Sequence, residues 1–489
     1  MNFYCVSKNN SINIEKTLIE GEFGPRLSLC LKTDFDLKNI PMNITEIILR
    51  SKNKNVISNV PSHIKYLKLM GKFSLDNNLF FGAELHFLEL ELNFSLELHK
   101  YFFPPTLKIL KFGKKYNQII KENVLPDNLE ELYFGNKFNQ TIEKNVLPQE
   151  LKILHFGYLF NQRLYKKILP EKLTELCFGA TYNFDISNEL PDNLEKLYLG
   201  NNFNVEIQKN ALPKNLITLK FGYSYNKDIS SNIFPESLKF LYLSNNCNGI
   251  ITKENLPQNL EELYYQTKQH KTSRKPNRLM ANTKILSLPT NLKKVVIINP
   301  VAVINTDIFV ESIEDLTLNI SSITKEKLSL RLLKLLNGKF AHGLSVPLPK
   351  KLKNLDIYVN QNDTYTFEFP AEMKTITLRN IKLKDTVLPA KLEKLRIDDL
   401  NSLNCKLPDE LLSLTVKNSI NADALPPSLK TIAFEETPHN ITTNLPLFLE
   451  TIQLKFHFYD HNTKNIINMF PKLPFGCKLV DYNNNEIMY

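Results

Sequence analysis

"VLPDNLEELYFGNKFNQTI", residues 124–142, runs directly into "EKNVLPQELKILHFGYLFNQRL", residues 143–164, which opens the same phrase again 22 residues later. With each proline as position zero, the phrase is L-P-x-x-L-x-x-L-x-[FL]-G-x-x-[FY]-N-x-x-I, with large apolar residues at +3, +6 and +8. It starts at Pro104, Pro126, Pro148, Pro170, Pro191, Pro213, Pro235 and Pro257, at spacings of 21 or 22. A period of that length marks an array of stacked units rather than a set of separate globules.

Looser copies extend both ways. Pro41 and Pro61 precede the triplets Ile44, Ile47, Leu49 and Ile64, Leu67, Leu69, and Gly82 takes the place of a proline before Leu85, Leu88 and Leu90. Downstream, Pro289, Pro349, Pro370, Pro389, Pro408, Pro426 and Pro446 keep the three apolar positions. Two copies lack proline, one with Ile313, Leu316 and Leu318, the other with Leu330, Leu333 and Leu335. About twenty units therefore fill most of the chain.

Each position has a physical reading. Apolar residues at +6 and +8 flanking a +7 of another kind have the period of a strand with one buried face, and +3 adds a third inward anchor. Proline extends the residue before it and cannot sit inside a helix. Glycine at +9 (Gly113, Gly135, Gly157, Gly179, Gly200, Gly222) is expected to take positive φ and turn the chain off the sheet. The pairs Tyr116-Asn117, Phe138-Asn139, Phe160-Asn161, Tyr182-Asn183, Phe203-Asn204 and Tyr225-Asn226 place a ring inward beside an amide. A buried amide needs partners, so stacked coils are expected to carry an asparagine ladder. In the next unit Cys247-Asn248 keeps the amide and loses the ring.

One unit of some twenty residues cannot offset its own conformational entropy, roughly 1–2 kcal/mol per residue, with about six buried side chains at about 1.5–3 kcal/mol each. Stacking is compulsory. The expected fold is a β-rich, α/β-type repeat solenoid, leucine-rich-repeat-like, with parallel strands in about twenty coils of 18–22 residues; a parallel β-helix is the alternative. The expected layout is an N-terminal cap over 1–38, repeats over 39–265 that are regular from 104, a basic insertion over 266–284, degenerate repeats over 285–456, and a C-terminal cap over 457–489.

The phrase "FN…LPxxLxxLxF" resembles that of the FNIP-repeat proteins, a leucine-rich-repeat-like family of amoebae and giant viruses. The likeness is specific over residues 104–265 and looser over about 40–450. It implies a protein-binding solenoid and, since several members place an F-box before the repeats, a substrate-recruiting adaptor of a ubiquitin ligase. It also implies the host-cell cytoplasm as the setting if the source is viral. Here the segment before Pro41, "LIEGEFGPRLSLCLKTDFDL", alternates like strands and does not read as the three short helices of an F-box.

Composition bounds the rest. The 489 residues are 43% hydrophobic, and 61 Lys and Arg against 51 Asp and Glu leave a net charge of +10. No signal-peptide pattern or membrane-span run is visible, and the six cysteines are far apart, so an intracellular, cytoplasmic, reducing setting is expected. No catalytic motif is found, neither G-x-S-x-G, G-x-G-x-x-G after a strand, nor H-E-x-x-H. "NGKFAHG", residues 337–343, lacks the order of a phosphate loop, and His457-Phe458-Tyr459-Asp460-His461 reads as a polar edge more readily than as a metal site. No enzyme activity, cofactor or metal is expected.

The functional signal is a column. Residues +4, +5 and +7 project from the sheet face expected to be concave, and +7 reads Lys111, Tyr133, His155, Cys177, Tyr198, Lys220, Tyr242, Tyr264, then Val296, Thr317, Lys334, Asp356 and Thr377. Exposed tyrosines are common interface anchors, and they also stack for stability in strands. The partner-binding candidates are Lys111, Tyr133, His155, Tyr198, Lys220, Tyr242 and Tyr264. Between Pro257 and Pro289 a basic loop brings Lys268, Lys271, Arg274, Lys275 and Arg278, suited to an acidic partner or a weak phosphate contact but lacking rings to stack on bases. A protein partner and a monomer are expected, with nucleic acid unlikely and no membrane.

Overall fold

A computed structural model of the full chain describes residues 17–21, 24–31, 34–75, 78–92, 98–187, 189–229, 233–244, 247, 250–266, 284–305, 308–324, 344–359, 364–383, 386–398, 400, 406–421, 424–438, 444–456 and 463–487. The chain forms two compact units, residues 1–249 with 277–282, and residues 250–276 with 283–489.

In the first unit ten repeat strands pair in parallel, each with the next: Glu46–Ser58, Tyr66–Leu75, Phe87–Leu92, Ile109–Phe112, Glu131–Tyr133, Ile153–His155, Glu175–Cys177, Lys196–Tyr198, Thr218–Lys220 and Phe240–Ser244. The antiparallel hairpin of Thr17–Gly21 and Gly24–Leu31 precedes them, its second strand parallel to Glu46–Ser58. Repeat position matches repeat position throughout: Leu132 pairs with Leu154, Leu154 with Leu176, and Leu176 with Leu197.

In the second unit ten more parallel strands follow, Glu262–Gln266, Lys294–Asn305, Asp315–Thr324, Asn354–Val359, Thr375–Arg379, Lys394–Ile397, Ser413–Val416, Thr431–Phe434, Thr451–Leu454 and Lys478–Val480. Asp315–Thr324 bonds directly to Asn354–Val359. The copy expected at Leu330, Leu333 and Leu335 lies outside the described residues. Lys478–Val480 is a rung that the proline phrase did not mark. Leu344–Pro347, Thr364–Glu368 and Lys382–Leu383 form a further small parallel sheet, so these coils have a second strand wall. Among the described residues the only α-helix is Thr463–Asn468.

The coil is built by short-range signals. The proline carbonyl accepts the N–H of residue +3, as Pro126 does from Leu129 at 3.1 Å and Pro148 from Leu151 at 3.2 Å, which closes a tight turn and drops the +3 leucine into the core. Leu129, Leu132, Leu151, Leu154, Leu173 and Leu176 are fully buried. At +8 Phe134, Phe156 and Phe178 lie against the ring of their own coil's Phe138, Phe160 and Tyr182 at 3.8–3.9 Å between centroids. Each ring also lies parallel to its counterpart one coil away, Phe138 to Phe160 and Phe160 to Tyr182 at 6.1 Å. Two files of rings thus fill the space behind the sheet, where continuous van der Waals contact stabilises each coil only against its neighbours.

The glycine reading is corrected. Gly135, Gly157, Gly179, Gly200 and Gly222 do not have positive φ. A Cβ on Gly157 would sit 1.7 Å from the carbonyl oxygen of Gly135, and one on Gly179 would sit 2.0 Å from that of Gly157. Glycine is required because successive backbones nearly touch there. The left-handed residue is at −3, where Asn123, Asn145, Lys167 and Asn210 have φ of 60°, 65°, 66° and 63°. Asparagine is the side-chain-bearing residue that tolerates this conformation best.

The asparagine ladder is present, with its members half-exposed or exposed rather than buried. Asn117 Oδ1 accepts the backbone N–H of Asn139 at 2.8 Å, Asn139 that of Asn161 at 2.8 Å, Asn161 that of Asn183 at 3.1 Å, Asn183 that of Asn204 at 2.8 Å, and Asn204 that of Asn226 at 2.9 Å. The amide serves the next coil, and water reaches its other side.

Candidate functional site

Because every strand pairs in the same register, side chains at one repeat position form a file on the open face of the sheet. In the first unit +7 runs Lys68, Glu89, Lys111, Tyr133, His155, Cys177, Tyr198, Lys220, Tyr242, each the direct partner of the next. The candidates Lys111, Tyr133, His155, Tyr198, Lys220 and Tyr242 thus stand together in one file. Tyr264 belongs to the second unit, where it pairs with Val296, followed by Thr317, Asp356 and Thr377. Lys334, the basic loop Lys268, Lys271, Arg274, Lys275 and Arg278, and the His457–His461 stretch lie outside the described residues.

The +5 file, two residues earlier, supplies partners that the sequence reading did not assign. Tyr133 donates its hydroxyl to Glu131 at 2.8 Å, and Tyr264 donates to Glu262 at 2.9 Å. His155 Nε2 lies 2.8 Å from Glu175 Oε1, and the other oxygen of that carboxylate is 3.1 Å from Lys196 Nζ. A tyrosine followed at minus two by a glutamate was visible in "EELYF" and "EELYY", since i and i+2 share a strand face.

Cations sit over rings of the +7 and +5 files. The Lys111 ammonium sits 4.6 Å from the Tyr133 ring centre and 5.1 Å from that of Phe87, Lys220 sits 5.8 Å from Tyr242, and Lys294 sits 5.5 Å from Tyr264. Tyr133 and His155 meet edge to face at 4.8 Å. Lys220 is exposed, whereas Lys111, Tyr133, His155, Tyr198 and Tyr242 are half-buried against one another.

Electrostatics follow this packing. Burial pushes the Tyr133 phenol upward and the Glu131 carboxylate adds to it, so the hydroxyl remains a donor. Burial raises Glu175, but the hydrogen bonds from His155 and Lys196 outweigh it and hold the carboxyl below its ordinary value. Cys177 stands next to His155 in the file, an arrangement that in outline suggests a thiol with a base. Burial, with Glu175 nearby, pushes this thiol up to about 11, so at neutral pH it is protonated and a poor nucleophile.

A second file, at +4, forms a rail of paired charges. Glu130 lies between Lys108 at 2.8 Å and Lys152 at 2.6 Å; in the second unit Lys293 pairs with Glu261, Lys353 with Glu314, Lys374 with Glu393, and Lys430 with Glu450. These pairs are solvent-exposed and individually weak, and they keep the rim polar. A third group centres on Arg396, whose side chain is largely buried between Asp398 at 2.6 Å and Glu435.

Among the described residues no helix is long and apolar enough to cross a membrane. The FNIP Repeat family matches residues 94–137, 138–181, 182–224 and 225–264. Among solved structures, the chain is similar to CroV588, described as a novel circular leucine-rich-repeat protein, at TM-score 0.59 and 23% identity over 90% of this chain and 73% of that one. YopM from Yersinia enterocolitica gives TM-score 0.45 and 18% identity over 90% of this chain and 87% of its own. Toll from Drosophila, in its complex with Spatzle, gives 0.47 and 12% over 88% and 64%. No curated protein matches the sequence. Residues 94–264 are FNIP repeats, and the fold is that of the leucine-rich-repeat proteins.

Proposed function

We propose that this chain, a leucine-rich-repeat-type solenoid with FNIP repeats over residues 94–264, is a non-catalytic scaffold that binds a protein partner on the open sheet face of its first unit. The observation that carries this is the +7 file, in which Tyr133, His155, Tyr198 and Tyr242 stand on paired rungs with Lys111 before the first of them, Cys177 between His155 and Tyr198, and Lys220 between the last two. Rigid rings with polar tips bury a large area on binding while losing little side-chain entropy, which suits an interface anchor. The face mixes both charges, so it suits a partner of mixed polarity better than a polyanion. The raised Cys177 thiol argues against nucleophilic chemistry on it.

An adaptor role in a ubiquitin ligase would rest on three short helices ahead of the repeats; Thr17–Gly21 and Gly24–Leu31 are strands, and no observation favours that reading. The experiment is affinity purification with mass spectrometry, comparing the wild type with a Tyr198→Ala, Tyr242→Ala double variant. The proposal expects the specifically enriched protein to be lost while the melting temperature falls by only a few degrees. Retention of that protein with a clearly lowered melting temperature would assign the file to stability alone.

A further inference from the structure

Residues +1 and +2 after the proline form the rim of the sheet and are polar in most coils: Asp127-Asn128, Gln149-Glu150, Glu171-Lys172 and Asp192-Asn193 in the first unit, Lys350-Lys351 and Asp409-Glu410 in the second. In the last coils of the second unit that rule fails. Pro446 is followed by Leu447-Phe448 and Pro474 by Phe475, with relative exposures of 83%, 74% and 105%. At +4, where the charge rail runs, Leu412 stands between the pairs Lys374–Glu393 and Lys430–Glu450 and is 38% exposed. These side chains border one groove of about 560 Å³, with Lys430 and Glu450 on its wall. Large apolar side chains gathered on one rim while neighbouring coils stay polar mark a surface that is covered in use.

We propose that this rim is the contact between two copies of the chain, related by a two-fold axis. The patch carries one positive and one negative group, Lys430 and Glu450, paired 2.9 Å apart. It is electrically neutral and complementary to itself: across a two-fold axis Lys430 of one copy faces Glu450 of the other, and both pairs re-form with exchanged partners. A basic or acidic partner would leave one of the two charges opposed. The four apolar side chains are fewer than a standard interface of roughly 800 Å² per partner requires, so the dimer is a weak one whose population rises with protein concentration. This departs from the monomer expected from the sequence and is independent of the partner proposed for the first unit.

Sedimentation velocity on the full chain at concentrations from about 1 to 100 μM tests it. The wild type is expected to shift from monomer to dimer, and Phe448→Glu with Phe475→Glu to raise the dissociation constant at least tenfold; both residues are too exposed for the change to leave a cavity. Lys430→Glu alone and Glu450→Lys alone each place like charges across the axis and are expected to be monomeric. An equimolar mixture of those two variants is expected to recover a heterodimer. A wild type that is monomeric throughout, a dimer indifferent to the Phe448 and Phe475 changes, or a mixture of the two charge variants that stays monomeric overturns the proposal.

Discussion

Asn139 donates its backbone N–H to Asn117 Oδ1 at 2.8 Å, and its own Oδ1 accepts from Asn161 one coil further on. Asn139→Ala therefore leaves the Asn161 N–H without its acceptor. The expected loss is about 1 kcal/mol, seen as a lowered urea midpoint and faster hydrogen exchange at the Asn161 amide. Asn139→Asp keeps an acceptor oxygen and is expected to cost less; equal losses for the two variants would show that the ladder bond is not the reason for asparagine.

Glycine at +9 is expected to resist alanine for lack of space. Gly157→Ala places a methyl 1.7 Å from the Gly135 carbonyl oxygen and forces two rungs apart, whereas Gly82, with φ of +73°, has no atom within 4 Å of the site of a Cβ. Gly82→Ala is expected to cost about 1–2 kcal/mol from backbone conformation, and Gly157→Ala more than that, ranked by denaturant midpoints. The reverse order would restore the view that +9 glycine serves a turn.

The His155–Glu175–Lys196 cluster gives a pH signature. Glu175 is held below its ordinary value of 4.5, so it contributes stability that is fully present above about that pH and is lost as the pH falls through its lower folded value. Lys196 is raised by its bond to Glu175, so its share is present below 10.5 and is lost as the pH rises through its higher folded value. Glu175→Gln is expected to lower the melting temperature at pH 7, with the gap to wild type closing below pH 4. A gap of constant size from pH 7 to pH 3 would contradict the pairing.

Cys177, with its thiol pushed up to about 11 from 9.0, is expected to react with iodoacetamide on the order of 100-fold more slowly at pH 8 in the folded chain than after denaturation. Peptide mass spectrometry of timed samples reads the rate. Rapid modification of native Cys177 would show a thiolate on the face and reopen nucleophilic chemistry there.

The sequence made the sheet legible because +3, +6 and +8 repeat the same burial demand at each coil, and a register of Leu132, Leu154 and Leu176 follows from that alone. The role of glycine was misread because a glycine that turns and a glycine that makes room look alike in one coil. Only stacking distances separate them. The left-handed residue at −3 was visible as the recurrent asparagine of "NVLP" and "NALP", a signal overshadowed by the proline beside it. The +7 file was legible from strand alternation, while the pairing of His155 with Glu175 was not, because its residues lie 20 apart and meet only once the register is known. In the second unit the ring and amide signals fade, and there the rung at Lys478–Val480 escaped the proline count.

In the regular coils of the first unit a ring lies on the same ring one coil away, and an amide bonds to the same amide. Any such coil can therefore be copied whole or deleted whole, because each neighbour meets an identical surface either way. An insertion of two or three residues has no such freedom, since it shifts the glycine, ring and amide files out of step at once. Tandem duplication is the mutation these coils absorb most easily, so their number is the property most free to vary in descent.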